Sequence, residues 1–292
     1  MLALIDADIL LYQMGSATDD EGHPLAWNLV KMRVDERIHF IMTKSGCDKY
    51  KLYLTGKSNF RIKEATILPY KGNRLSEKPY WHGKIKEYFM ESNKHKNNFD
   101  YSKYYEADDA LSMKLYADLK RISNGWTDKE SEREEPSSMY ESWDDFYEHY
   151  ASCVLDTIDK DMDMCPGKHG KWHKNKKTKE LEFTCYTVTD DEGIWWFYRQ
   201  LLTGDMTDNI LGLFGIGPVS AKKSLKGLTE PLDLYTVVQK KYEERFGNYW
   251  EMFLHENARL LWMLRYEGDD IRIDLKALEV KRLLKIEQDK EF

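Results

Sequence analysis

The sequence predicts an α/β fold built on a mostly parallel central sheet. Three observations point there. Short apolar runs lead into polar or acidic residues at LALI (residues 2–5, before Asp6), KLYLT (Lys51 to Thr55) and SCVLDTI (residues 152–158, before Asp159). Between the second and third run, Ala107, Leu111, Leu115 and Leu119 recur at the four-residue step of an amphipathic helix over 107–121. From about residue 196 the pattern turns helical, through WFYRQLL, AKKSL, LDLYTVVQKKYEERF and ENARLLWMLR, with no proline inside these segments.

Each element has its own reason. LALI is apolar throughout, as a strand covered on both faces requires. SCVLDTI carries one oddity, Asp156, at a position where a central strand is normally apolar. Residues 122–150 are polar and acidic and are interrupted by Gly125, Pro136 and paired serines, which predicts a surface insertion or mobile loop. In open parallel sheets ligands bind outside the carboxyl ends of the strands. Asp6 and Asp159 each follow a predicted strand, which places them on one rim.

At 292 residues and 41% hydrophobic, the chain can bury a substantial core. Cys47, Cys153, Cys165 and Cys185 are scattered without CxxC spacing, so reduced thiols of a cytoplasmic protein are expected rather than a zinc site or a disulfide framework. The start, MLALIDADILLYQ, has no basic segment and its apolar run is broken by Asp6 and Asp8, which is unlike a secretory signal. No uncharged apolar stretch is long enough to span a bilayer, so no membrane partner is expected. The net charge of −7 is unevenly distributed. Bases outnumber acids between Lys44 and Lys96, and KHGKWHKNKKTK runs from Lys168 to Lys179. Local field steers a polyanion more than net charge does. The second run is expected to be a solvated basic loop near nucleic acid. His169 and His173 match no zinc spacing.

Eight carboxylates fall in four groups: Asp6; Glu106, Asp108 and Asp109; Asp159 and Asp161; Asp205 and Asp208. Gathered acids repel and lose hydration, so a fold that collects them needs a cation, and hard divalent ions prefer oxygen ligands. Each group alone is equally a helix cap or a turn. On an ideal helix Glu106 and Asp109 share a face while Asp108 points elsewhere, so a shared site requires Glu106 to lie before the helix. The last pair sits in LLTGDMTDNILGLFGIGPVSAKKSL. There Gly215, Gly217 and Pro218 form a tight turn ahead of a helix near Val219, an arrangement that offers backbone N–H groups to phosphate, with Ser220, Lys222 and Lys223 beside it. In NFRIKEATILPYKGNR, Arg61, Lys71 and Arg74 are interleaved with Tyr70, and Lys78, Tyr80, Trp81, Lys84 and Lys86 follow, a mixture suited to single-stranded nucleic acid.

In order, Asp6, YKGNR, EADD, DKD, GDxxDN and GIGP resemble the flap endonuclease family of 5′-nucleases. The likeness is greatest to bacteriophage 5′-to-3′ exonucleases and the 5′-nuclease domains of bacterial DNA polymerases, and it runs from Asp6 to about Ser224. It implies a PIN-like core over residues 1–200, with a helical arch or clamp at about 70–100. A helical part over 201–292 would hold a helix-two-turn-helix at about 205–227. The resemblance also implies a metal-dependent 5′-to-3′ exonuclease and flap endonuclease using two Mg²⁺ or Mn²⁺ ions. Asp6, Glu106, Asp108, Asp109, Asp159 and Asp161 would serve one ion, and Asp205 and Asp208 the other. Lys71 and Arg74 would meet the scissile phosphate. Arg61, Gly215, Gly217, Ser220, Lys222 and Lys223 would contact DNA, with K⁺ held at the turn by carbonyls. The substrate would be duplex DNA with a 5′ end, flap or tail, and RNA–DNA hybrids. The expected setting is phage replication in the host cytoplasm, as a monomer. One family position departs: Gly56 stands where an Asp is normal, and Asp8 is the residue placed to compensate. The alternatives are a PIN-type ribonuclease and a non-catalytic DNA-binding protein with a decayed metal site.

Overall fold

A computed structural model describes residues 1–131 and 143–288. In chain order the elements are β1 (Leu2–Asp6), α1 (Ala7–Gly15), α2 (Trp27–Ser45), β2 (Lys49–Leu54), α3 (Arg61–Glu64), α4 (His82–Glu91), β3 (Phe99–Tyr101), α5 (Ala107–Ser131), α6 (Trp143–Tyr150), β4 (Cys153–Asp156), β5 (Gly167–Lys174), β6 (Leu181–Val188), α7 (Asp190–Thr203), β7 (Gly204–Asp205), β8 (Ile210–Leu211), α8 (Pro218–Ser224), α9 (Pro231–Phe246), α10 (Trp250–Leu261) and α11 (Ile271–Gln288). They divide into two compact units: residues 1–57 with 77–188, and residues 58–76 with 189–292.

The first unit is the α/β part. Its sheet has the order β3-β2-β1-β4-β5-β6; β1 to β5 run parallel and β6 closes the edge antiparallel. Burial on both faces of β1 explains its unbroken apolar run. Under one face lies the main core, where Val30, Val34, Ile38 and Ile41 of α2 meet Leu10 and Leu11 of α1, Ile85 and Phe89 of α4, and Trp172 of β5. Gly46, at φ 69°, ends α2 in the left-handed conformation that glycine adopts without strain. Leu111 and Leu115 of α5 are fully buried, and α5 packs on β1, β2 and β4.

Two expectations change here. The 122–150 insertion is largely helical: α5 continues to Ser131 and α6 begins at Trp143. Ile122 and Tyr147 pack together with Leu119, Tyr150 and Ala151. Residues 132–142 lie outside the described residues. The basic run from Lys168 is not a loop, because most of it forms β5. Trp172 and His169 are buried, and Lys174 to Leu181 turns the chain into β6. The misleading signal was the lysines, which fall at every third position, 168, 171 and 174, and so show no strand alternation in the sequence.

The second unit is helical. α9 and α10 pack together, with α7 against both and α11 against α9 and α10. α7 begins with a full capping box, Thr189 with Glu192. The Asn257 amide donates to the Leu211 carbonyl at 2.7 Å and to the Tyr242 hydroxyl at 2.9 Å, tying α10 to β8. A Cβ at Gly204 or Gly212 would meet facing backbone at 2.2 Å, so the short β7–β8 ladder requires glycine at both. No described helix is long and apolar enough to cross a membrane. The four cysteines are unpaired.

Candidate active site

In the first unit the acids collect at the carboxyl rim of β1 and β4. Asp6 ends β1 and caps α1, accepting from the Asp8 and Ile9 N–H groups. It is only 4% exposed, and Thr157, just past β4, donates its hydroxyl to Asp6 Oδ2 at 3.1 Å. The Asp159 N–H in turn donates to Thr157 Oγ1, and Asp159 accepts from the Asp161 N–H at 2.9 Å. Burial first, then the charges of Asp8 and Asp159, push the Asp6 carboxyl up to about 7. A cation among these carboxylates is what would remove that repulsion, so the donor set fits a hard divalent ion.

Glu106 lies one residue before α5, as a shared site with Asp109 requires. Both are buried, and Asp109 turns back to accept the Glu106 N–H at 3.1 Å. Asp108 is half-buried in the first turn. Lys160 pairs with Asp161 at 3.1 Å. Among the described residues, no three His, Cys, Asp or Glu side chains are arranged to hold a metal as they stand. Hydrogen bonds to backbone and to Lys160 hold several of these acids.

Gly56 has a physical explanation. A Cβ there would lie 1.9 Å from the Ser102 carbonyl oxygen, so no aspartate fits without moving the end of β3. Asp8 serves the same rim: its Oδ2 accepts the Thr55 N–H at 3.0 Å, next to Gly56. Asp8 also heads the charges acting on Asp6. It stands in the first turn of α1, not on a continuation of β1 beyond Asp6.

In the second unit YKGNR wraps the turn between β7 and β8. Tyr70 donates its hydroxyl to Asp208 Oδ2 at 2.6 Å, Lys71 Nζ lies 3.5 Å from the same oxygen, and Arg74 pairs with Oδ1. Asp208 is thus fully engaged. Asp205 accepts the Thr207 N–H at 2.8 Å. Asn73 reaches the Met206 carbonyl, and Asn209 reaches that of Pro69. Lys71 and Asn209 both hold positive φ, 57° and 61°. Left-handed backbone at non-glycine residues costs energy and tends to mark functional turns. Gly215, at φ 82°, makes the turn before α8, with Gly217 as its N-cap; Ser220, Lys222 and Lys223 are exposed.

Arg61 is a correction. Expected on a DNA-facing surface, it is 1% exposed. Its guanidinium donates to the Leu260 and Trp262 carbonyls, each at 2.8 Å, closing the end of α10. A helix C-terminus leaves carbonyls unsatisfied, and a buried arginine satisfies two of them at once.

No family model matches the chain, and no curated protein matches it in sequence. Solved structures do match over nearly its whole length. The bacteriophage T5 D15 protein co-crystallised with metal ions is 16% identical, covering 97% of this chain and 95% of its own, at a TM-score of 0.55. The chain has the fold of that protein. A T5 D15 flap endonuclease variant, in a pseudo-enzyme–product complex with DNA and metal ions, matches equally widely at a TM-score of 0.56. A T5 5′-exonuclease mutant matches at 15% identity and a TM-score of 0.53, over 95% of this chain and 91% of its own. Another T5 5′-exonuclease structure, at 0.52, has zinc bound. The T5 5′-exonuclease fold accounts for the α/β core and the helical unit together.

Proposed function

We propose that the chain is a metal-dependent 5′-nuclease on DNA, with 5′-to-3′ exonuclease and 5′-flap endonuclease activity. The observation that carries this reading is the rim of β1 and β4, where Asp6 is buried, bonded to Thr157, and raised by burial and then by the charges of Asp8 and Asp159, in a fold shared with T5 nucleases. In the first unit Asp6, Asp8, Glu106, Asp108, Asp109, Asp159 and Asp161 are the acids that hold or orient one Mg²⁺ or Mn²⁺. In the second, Asp205 and Asp208 are those for another. When bound, such ions lower the pKa of a water and offset charge on the phosphoryl oxygens.

The chain's own groups then have defined tasks. Thr157 fixes the rotamer of Asp6 through its hydroxyl. Lys71 and Arg74 neutralise Asp208 in the free protein and are the cations suited to phosphoryl oxygens. Water adds to phosphorus, the bond to the 3′ oxygen breaks, and that oxygen takes a proton, leaving 5′-phosphate and 3′-hydroxyl ends. The turn from Gly215 to Gly217, with Ser220, Lys222 and Lys223, presents backbone N–H groups and positive charge to the duplex backbone, and its carbonyls suit K⁺. Asp8, whose Oδ2 accepts the Thr55 N–H next to Gly56, supports a working site over a decayed one.

Products from 5′-labelled duplex, flap and RNA-primed substrates with Mg²⁺ or Mn²⁺ test the reading. Metal-dependent cleavage of DNA from the 5′ end is expected, and cleavage of RNA alone would favour the ribonuclease alternative.

A further inference from the structure

The basic run from Lys168 to Lys179 divides sharply in the fold. Within β5, Lys168 pairs with Glu148 at 2.5 Å, Lys171 lies 3.6 Å from Asp163, and His173 pairs with Glu182 at 2.9 Å. At the tip, Lys174, Lys176, Lys177 and Lys179 are exposed and have no carboxylate partner among the described residues. Glu180 is the one acid in the turn.

The tip is built to hold its shape. Asn175 exchanges backbone bonds with Glu180 and Lys179 at 2.8 and 3.0 Å. Its side chain accepts the Lys177 and Thr178 N–H groups at 2.8 and 3.1 Å, and Thr178 Oγ1 accepts the Glu180 N–H at 3.3 Å. Below it Trp172 is buried in the core, with Leu181 and Phe183 packed against that core. A turn held this way loses little further backbone entropy when its lysines meet a polyanion.

Register places the tip. β5 runs parallel to β4 with Asp156 opposite Gly170, and β4 runs parallel to β1 with Ile5 opposite Asp156. Lys171 therefore stands level with Asp6, and the strand continues past the acid rim to Lys174. At about 3.3 Å per residue and about 4.8 Å per strand, Lys174 lies roughly 10 Å beyond the rim and roughly 10 Å to its side. The tip rises on the same side of the sheet as Asp6 and Asp159.

We infer that the β5–β6 hairpin tip is a phosphate-backbone contact, holding nucleic acid a few nucleotides from the bond cleaved at the acid rim. The inference rests on the nuclease reading. Lys168 and Lys171, already neutralised, lie outside the footprint.

The test compares the salt dependence of duplex DNA binding, in EDTA, for the wild type and for the variant with Lys174→Gln, Lys176→Gln, Lys177→Gln and Lys179→Gln. Each lost phosphate contact lowers the log–log slope by about 0.9. A drop of about 2 or more is expected for the tip variant, with no change for Lys168→Gln with Lys171→Gln. Acetylation footprinting of the wild type provides a second readout: DNA should protect Lys174, Lys176, Lys177 and Lys179. A wild type that cleaves DNA while the tip variant keeps its slope, or the tip lysines go unprotected, overturns the hairpin contact alone. A wild type that neither binds nor cleaves DNA overturns both.

Discussion

At the residue scale, Asp6 is a buried carboxyl set among like charges. Its carboxyl is raised to about 7 in the fold, from an ordinary value of 3.8. Between those values the folded state keeps a proton that the unfolded state has lost, so stability should fall as pH rises from about 4 to 7. Asp6→Asn should make that part of a urea-midpoint profile less steep, the remainder coming from buried Asp156, and Mg²⁺ should restore stability to the wild type at pH 8 but not to Asp6→Asn. Gly56→Asp tests the other half of the rim. Because its Cβ meets the Ser102 carbonyl oxygen, the substitution should cost about 1–3 kcal/mol in a denaturant titration and add no activity. The resemblance marked Gly56 as a gap, and only tertiary packing shows why aspartate does not fit there.

At the scale of elements, two buried polar side chains have opposite consequences. Asp156 ends β4 fully buried, and neither carboxyl oxygen has a hydrogen-bond partner among the described residues. Ser45 stands near, but its hydroxyl donates to the Ile41 carbonyl at 2.8 Å. Burial pushes Asp156 well above the ordinary carboxylate range. A Cβ on Gly170 would lie 2.0 Å from its Oδ1, so the neighbouring strand leaves room for the carboxyl. Asp156→Val should raise stability at pH 8 by about 1–3 kcal/mol, read from urea midpoints. Arg61 is the reverse case, since it satisfies the end of α10. Arg61→Ala should cost about 3 kcal/mol, while the folded fraction binds DNA with unchanged affinity. In sequence, a basic residue among aromatics reads as nucleic-acid binding. That reading misplaces Arg61, because the pattern carries no information about which carbonyls need donors.

At the scale of the molecule, much was legible early. The apolar runs predicted β1, β2 and β4, their carboxyl ends predicted the rim, and the spacing of Leu111 and Leu115 predicted α5. The helices from α7 to α10 followed from their apolar periods. Less legible was the edge of the sheet, where lysines at every third position of β5 show no strand alternation, and the extension of α5 to Ser131 through a polar sequence. The engagement of Asp208 by Tyr70, Lys71 and Arg74 joins segments more than 130 residues apart, beyond the reach of local pattern. The central claim is that the acids of both units serve metal-dependent hydrolysis. Its most direct test is cleavage of a 5′-labelled DNA flap by the wild type and by Asp205→Asn with Asp208→Asn, in Mg²⁺, Mn²⁺ and EDTA. The account predicts 5′-end cleavage by the wild type with either metal, none in EDTA, and a loss of at least about a hundredfold in the double variant. No cleavage by the wild type with either metal, or cleavage undiminished in the double variant, would contradict it.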